Sequence, residues 1–537
     1  MTTATSTAPN PATVGAATLL RFAIRRERWT VPWWLLGIGT LMVVQSVSSQ
    51  GFYDSPAKLA QLRATMSANA AAIAMGGPTR LLDTIGGEIV FEIFAYLAIA
   101  TALMNMFLIG RNTRSDEESG RAELIRSARV GRRAPMVAAL GTALIADVAV
   151  AAVVGGAASI TGLPIAGSIL LGVTTGGVGL TFAAVTTVAA QVFENPRTVY
   201  GSVTALVAVA YILRAVGDVG PTAVSWLSPI GWGQRTFPYV EDRWWPVVLF
   251  VVVSLWLIAV AILLAEHRDF GAGLLRYRTG RASASRLLSS PLGLLWRLQR
   301  ASVLAWCVGV FVLGVAYGSF ADSIEQFLRD NPEIAAYLAG DAQDAVNSYL
   351  ALTLSILALP TAAYGIAAVL RARGEESAGR TSVILAQPVG RTRWMIGNLA
   401  VAMTGSALVL IAGGLGEGLA YGVTVHDLTQ APRMALAAAA YVPALWVIVA
   451  VAAAALGWWP SVSATGAWIY FGYVVVATIF ADAFDLPGWF GAASPLRHTA
   501  LVPMDAVDPR ALLALLAATA MVVGVGLVGF RRRDIEG

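Results

Sequence analysis

Long apolar blocks, separated by short polar or charged stretches, recur from one end of the chain to the other. They predict membrane-spanning helices near 30–49, 88–110, 134–160, 166–191, 198–217 and 245–265, then near 301–320, 346–370, 394–422, 434–458, 463–482 and 510–530. Each block approaches the roughly 20 helical residues that cross a hydrocarbon layer of about 30 Å. A closed barrel would instead show residue-by-residue alternation in short segments. The expected fold is therefore an all-α integral membrane protein with 12 transmembrane helices. The intervening segments 50–87, 218–244, 321–345 and 483–508 contain Pro, Asp, Asn and Gly with short amphipathic stretches. They predict small caps on the external side, and no stretch suits a separate soluble domain.

The polar sequence between the blocks repeats. RSDEESGRAELIRSARVGRRAPM (114–136) superposes without gaps on RGEESAGRTSVILAQPVGRTRWM (373–395), with nine identities in 23 positions. Membrane composition cannot inflate a match made of charges and glycines, so this is an internal repeat. Arg25 and Arg28 before the first span correspond to Arg297 and Arg300 before the seventh. Trp226 to Pro229 resembles Ala493 to Pro495, and His267 to Asp269 (HRD) resembles Arg532 to Asp534 (RRD). Two parallel six-helix repeats follow, related by a pseudo-two-fold axis along the membrane normal. The expected divisions are a flexible tail at 1–18, a first repeat at 19–270, a linker at 271–290 and a second repeat at 291–537.

Composition sharpens this picture. Of the 537 residues, 57% are hydrophobic and 13% charged, against about 25% charged in soluble domains. The net charge of +5 could suggest a nucleic-acid binder, but 27 of the 37 basic residues lie in 1–28, 111–133, 192–199, 266–300, 371–393 and 531–537. Those segments alternate across successive spans and are expected on the cytoplasmic side, with both termini, so that no nucleic acid is implied. The basic cluster Arg21 to Arg28 precedes a span that ends near Ser48 without a small-residue cleavage site, which predicts a retained first helix in the cell membrane. The lone Cys307 and the scattered His267, His426 and His498 support neither a disulfide framework nor a Cys/His metal cluster.

A transporter needs an energy source. The phosphate-binding pattern G-x-x-x-x-G-K-[ST] requires a lysine, and the single lysine, Lys58, is followed by Leu59 in an external segment. This chain is therefore expected to be no enzyme, and any ATP would be hydrolysed by another polypeptide. An ion gradient would instead leave ionisable groups within the membrane. The candidates are Glu88 and Glu92, Asp147, Arg214 and Asp218, and Glu417. Arg214 and Asp218 are four apart and predict a self-satisfied ion pair on one helix face. Asp147 and Glu417 occupy different places in the repeat, which does not suit a shared relay.

Each repeated charged segment has a short helix-compatible core. It contains an acidic pair (Asp116 and Glu117; Glu375 and Glu376), a Gly-Arg (Gly120 and Arg121; Gly379 and Arg380), a small apolar patch (Leu124 and Ile125; Val383 and Ile384) and a Val-Gly-Arg exit ending at Arg132 and Arg391. The positive-inside rule explains the arginines but not acidic residues at the same places in both copies, which points to docking of a partner. E-E-S-G-R-A-E-L…V-G-R between the second and third spans resembles the coupling-helix signature of ABC-2 type transporter permeases. The Arg-Asp after the sixth span of each half resembles that family's usual ending, and the resemblance covers both halves. The fused two-copy form resembles the polyketide-antibiotic and multidrug exporter branch.

The resemblance implies six spans per half and two copies of a separately encoded ABC ATPase subunit that bind ATP and Mg. Coupling would pass through 114–132 and 373–391, with Arg114, Asp116, Glu117, Gly120, Arg121, Glu123, Arg132, Arg373, Glu375, Glu376, Gly379, Arg380 and Arg391. The basic helices before the first and seventh spans would join them through Arg25, Arg28, Arg297 and Arg300. The second copy departs from the signature where Thr381 and Ser382 replace Ala122 and Glu123, and Pro388 stands in place of Arg129.

The resemblance also places a substrate path along spans 1, 2 and 5 of each half. Those spans carry Trp33, Trp34, Phe91, Phe94, Tyr96, Met104, Met106, Phe107, Tyr211, Trp306, Tyr349, Tyr364, Phe471, Tyr473 and Phe480. Aromatic and methionine side chains suit a bulky amphipathic cargo, and they also anchor helices at membrane interfaces. The leading expectation is the permease of an ATP-driven exporter of hydrophobic or amphipathic compounds such as antibiotics. A permease for a lipid or cell-envelope precursor and an ion-gradient-driven secondary transporter are the alternatives.

Overall fold

The computed structural model describes residues 11–67, 69–269, 271–275, 283–285, 288, 290–330, 342–479 and 487–534. The described residues form helices and connecting turns, with no strand among them. The chain divides into two compact units between residues 280 and 281.

In the first unit, a short helix α1 (Ala16–Glu27) leads into α2 (Thr30–Phe52). Next come α3 (Ile85–Arg111), the short α4 (Arg114–Glu118) and α5 (Arg121–Arg126), then α6 (Ala134–Ile160), α7 (Ile165–Val192), α8 (Pro196–Val219) and α9 (Val247–Glu266). The centre is α7, whose small residues let backbones approach. A Cβ at Gly172 would collide with the Ala151 carbonyl of α6, and one at Gly176 with the Asp147 carbonyl. Around this contact Leu97, Met104, Val150, Val154, Leu171 and Val178 are buried. On α9, by contrast, Val248, Val252, Leu255 and Trp256 are exposed, as side chains facing lipid should be.

The second unit contains α10 (Pro291–Asp330), α11 (Ala342–Ser377), α12 (Arg380–Leu385), α13 (Arg391–Thr424), α14 (Gln430–Ala440), α15 (Val442–Trp458), α16 (Ser463–Ile479) and α17 (Pro509–Arg532). Its tightest seam joins α10 to α13. A Cβ at Gly314 would meet the Gly413 carbonyl, one at Gly318 the Glu417 carbonyl, and one at Gly416 the Phe311 carbonyl. Glycines four apart are the usual means of bringing two membrane helices into backbone contact.

Among the described residues, ten helices are long and apolar enough to cross a membrane, or eleven if α14 and α15 form one bent span. They coincide with the apolar blocks of the sequence. The block at 434–458 is not one straight helix, because α14 and α15 meet at 41°. Pro443 sits in the first turn of α15 and cannot donate to the preceding turn. The block at 463–482 gives a helix of 17 residues, and its last three positions lie outside the described residues.

The two units differ at their first helices. In the first unit the chain breaks between α1 and α2, whereas α10 is continuous through the corresponding positions. Pro32 explains the break, since its ring would strike the Arg28 carbonyl in a continuous helix. Leu304 occupies the corresponding place in α10. Residues 11–18, expected as tail, are tied down. Pro11–Thr13 forms a helical turn, Gly131 N donates to Val14 O at 2.9 Å and Arg133 N to Ala12 O at 2.9 Å.

Candidate functional site: the paired charged segments

The first charged segment begins where α3 ends. Asn112 and Thr113 bond back to the Leu108 and Ile109 carbonyls at 2.9 and 2.6 Å, competing with helix propagation. The second has Arg371 and Ala372 there, both good helix formers, and α11 runs on to Ser377. Both segments then turn at a glycine in the left-handed region, Gly120 at φ 74° and Gly379 at φ 69°. A Cβ at either would meet nothing within 4 Å, so backbone conformation alone favours glycine there. Each glycine opens a six-residue helix, α5 or α12, that begins with arginine.

The acidic pairs face inward. Glu117 accepts from Arg114 Nη1 at 2.7 Å and from Arg268 Nη2 at 2.5 Å. Glu376 is held by Arg533, whose Nη2 donates to Oε2 at 2.6 Å and whose Nη1 reaches Oε1. The exit arginines bind the same partners through the backbone. Arg132 Nη2 donates to Arg268 O at 2.9 Å and to Ala265 O at 2.9 Å, while Arg391 Nη1 donates to Arg533 O at 3.0 Å. Arg268 and Arg533 are the arginines of the HRD and RRD that follow α9 and α17. In each unit, therefore, the charged segment grips the end of the last long helix at two points.

The first unit adds further ties. Arg114 donates to Ala272 O at 3.1 Å and, with Arg268, caps the Ala190 carbonyl in the last turn of α7. Such carbonyls lack intrahelical partners, and a guanidinium beside them also complements the helix dipole. Arg268 Nη1 also donates to Gln191 Oε1 at 3.0 Å. Asp116 pairs with Arg26 of α1 at 2.9 Å and more loosely with Arg121 at 3.6 Å. Glu375 pairs with Arg380 at 2.5 Å, the counterpart of the Asp116–Arg121 contact. Arg373 is half-buried. Buried Glu27 takes Arg111 at 2.7 Å and Asn112 at 3.3 Å, tying α1 to the end of α3.

What faces outward is different in kind. Leu124 is 75% exposed and Val383, at the same place in the repeat, 69%. Arg121 and Glu123 flank the first, Arg380 and Ser382 the second, and all four are exposed. Arg25 on α1, Arg28 at its C-terminal cap, and Arg297 and Arg300 on α10 are also exposed, while Ala23 and Glu27, or Leu295 and Gln299, turn inward. Behind α5 lies a cavity of about 730 Å³ whose lining includes Asp116, Glu117, Arg126, Arg132, Glu266 and Arg268. Desolvation there lowers the Arg126 guanidinium from its ordinary value, an effect to which nearby Arg132 and Arg268 add.

The aromatic residues of the expected path fall into two groups. Trp33 is 70% exposed, and with Trp34, Trp29, Ile38 and Leu41 it lines an open apolar cleft of about 580 Å³ in the first unit. Phe91, Phe94 and Met104 are buried in the first unit and Tyr364 in the second, where they fill the interior. Tyr211 stacks on the Arg214 guanidinium at 4.5 Å. Trp306 packs against Tyr364, with ring centroids 6.0 Å apart. Tyr349 donates to Tyr317 O at 3.0 Å, and Tyr473 to Phe490 O at 2.5 Å. Phe480 lies outside the described residues. The expected Arg214–Asp218 contact spans 3.8 Å, and Arg235 approaches Asp218 more closely at 2.8 Å.

Sequence reasoning singled out the acidic pairs but not their partners. The signal was present in the HRD and RRD match, which sets Arg268 and Arg533 at corresponding places. Likewise Asp147 is met by Asn105 Nδ2 at 2.7 Å, a contact between α3 and α6 that spacing alone could not reveal.

Among the described residues, ten apolar helices of spanning length, many presenting apolar side chains outward, define a multi-pass membrane protein. Residues 288–531 match the family described as "Multidrug efflux system permease Rv1217c, C-terminal domain". The chain is also 33% identical over 526 residues to the multidrug efflux system permease protein Rv1217c of Mycobacterium tuberculosis (strain ATCC 25618 / H37Rv), covering 97% of this chain and 95% of that protein. It belongs to this family of multidrug efflux permeases.

Proposed function

We propose that this chain is the membrane permease of an ATP-driven exporter of hydrophobic or amphipathic compounds, and that a separately encoded ABC ATPase drives it from the cytoplasmic side. One observation carries the ATPase part: each unit presents an exposed apolar side chain, Leu124 or Val383, on a short helix opened by a left-handed glycine. An exposed apolar residue flanked by charges suits a groove on a partner protein, where its burial contributes about 1.5–3 kcal/mol. An exposed apolar residue at the same repeat position in both units, Leu124 and Val383, suits two copies of one partner. Family membership supports efflux of drug-like compounds as the activity.

The two docking helices are unequal. The first carries Glu123 and Arg126, and the second Ser382 and Leu385, so the first has more charge to offer its partner. In this reading ATP closes the partner dimer, and the movement enters each unit through α5 or α12. The conformational bias comes from the partner's tighter nucleotide binding in one arrangement. The apolar cleft at Trp33 and Trp34 offers the cargo a surface of suitable chemistry.

The test is co-purification of the ATPase subunit with Leu124→Glu, Val383→Glu and the double variant. Both side chains are exposed, so the permease should keep its fold and expression. Retention of the ATPase should fall about tenfold in each single variant, the effect of losing about 1.4 kcal/mol of contact, and further in the double. Full retention in the double variant would remove the docking assignment.

A further inference from the structure

We infer that Arg268 and Arg533 are positioning residues, each clamping the chain just before and just after a docking helix to the end of the last long helix of its unit, so that the docking helix moves with that end. The inference deepens the ATPase-coupled reading and rests on it for its functional consequence. Its basis is a four-group arrangement found once in each unit. A segment carboxylate (Glu117 or Glu376) holds the arginine's guanidinium, and a segment arginine (Arg132 or Arg391) holds the same residue's carbonyl. The clamp therefore grips one residue by side chain and backbone together.

Burial makes the grip stiff. The side chains are 9% and 16% exposed at Arg268 and Glu117, and 11% and 2% exposed at Arg533 and Glu376. Charges this shielded from water attract strongly, and a partner left alone there is costly. The outward positions of the same segments show the opposite character, since Leu124, Val383, Arg121 and Arg380 are exposed. Each segment thus has an outer face fit for a partner and an inner face fixed to α9 or α17. A push on α5 or α12 is delivered to the end of that helix rather than lost in a loop. The clamps differ in their surroundings. Glu117 is shared with Arg114, and Arg268 also holds the end of α7, so the first clamp joins three helices. Among the described contacts Arg533 holds Glu376 and stacks on Phe530 at 4.8 Å.

The second clamp has the simpler charge environment and is the one to test. In nanodiscs containing the chain and its ATPase partner, the quantity to read is cargo moved per ATP hydrolysed, which a merely structural role, acting only through the amount of folded protein, would leave unchanged. Arg533→Glu and Glu376→Arg should each lower this ratio about tenfold, the scale of losing a partly buried charge pair. The swap Glu376→Arg with Arg533→Glu should restore most of it, and Arg533→Lys should lie between wild type and the reversal. An unchanged ratio in the single reversals, or a swap no better than either, overturns the inference. A second measurement uses the chain without any ATPase: amide hydrogen exchange across 380–385 should quicken in the reversals and recover in the swap. Unchanged exchange also overturns the clamp. Should the wild-type chain move no cargo on ATP, the ATPase reading fails, and the exchange measurement alone decides the clamp.

Discussion

At the scale of single residues, the left-handed glycines and the inward carboxylates shape the two charged segments. Gly120 and Gly379 have open space where a side chain would go, so substitution there probes backbone strain without steric collision. Gly→Ala at either position should cost about 1 kcal/mol, because a Cβ disfavours positive φ. Asn, which tolerates this region better, should cost less. Amide exchange across 121–126 or 380–385 checks this, with about fivefold faster exchange expected for Ala; equal effects of Ala and Asn would contradict the account. The glycines and acids were legible because they repeat at a constant offset. Their partners were not, since Glu117 and Arg268 are 151 residues apart and the contact exists only once α9 returns to the charged face. The repeated HRD and RRD were nevertheless the trace that this contact left in the sequence.

At the scale of elements, one proline separates the beginnings of the two units. Pro32 forces a break after α1, whereas Leu304 lets α10 continue. Pro32→Leu should therefore join α1 to α2 and slow amide exchange at Arg28 and Trp29. Leu304→Pro should break α10 near Arg300 at a cost of about 3 kcal/mol. Rapid exchange persisting at Arg28 and Trp29 in Pro32→Leu would show that something else sets the break. Spans were legible wherever an apolar block was long, because lipid admits few alternatives to helix. The bend at Tyr441 was harder to see, because Val442 and Pro443 sit within an unbroken apolar run and hydropathy alone does not separate a kinked span from a straight one. The path residues show a further limit. Phe94 and Met104 have the composition of a cargo surface and yet fill the interior of their unit, since aromatic and methionine side chains serve both purposes.

At the scale of the whole molecule, each unit has its own core and its own charged segment, and the two-point contact with Arg268 or Arg533 recurs with different reinforcement. The first segment is also tied to α9 independently of Arg268, through Arg132 to the Ala265 carbonyl and through Arg133 to Glu266, so it should resist loss of one contact better than the second. Arg268→Gln is thus expected to impair coupling less than Arg533→Gln, compared as cargo moved per ATP hydrolysed; the reverse order would contradict the difference in their surroundings. The unequal outer faces add a second asymmetry, with more charge beside Leu124 than beside Val383. The central claim is that this permease takes its energy from a partner's ATP hydrolysis. The most direct measurement is efflux of a fluorescent amphipathic drug from proteoliposomes holding the chain with or without the ATPase subunit, energised by ATP or by an imposed proton gradient. The account predicts transport only with the ATPase and ATP together, abolished by vanadate. Transport by the chain alone on a proton gradient, indifferent to ATP, would contradict it.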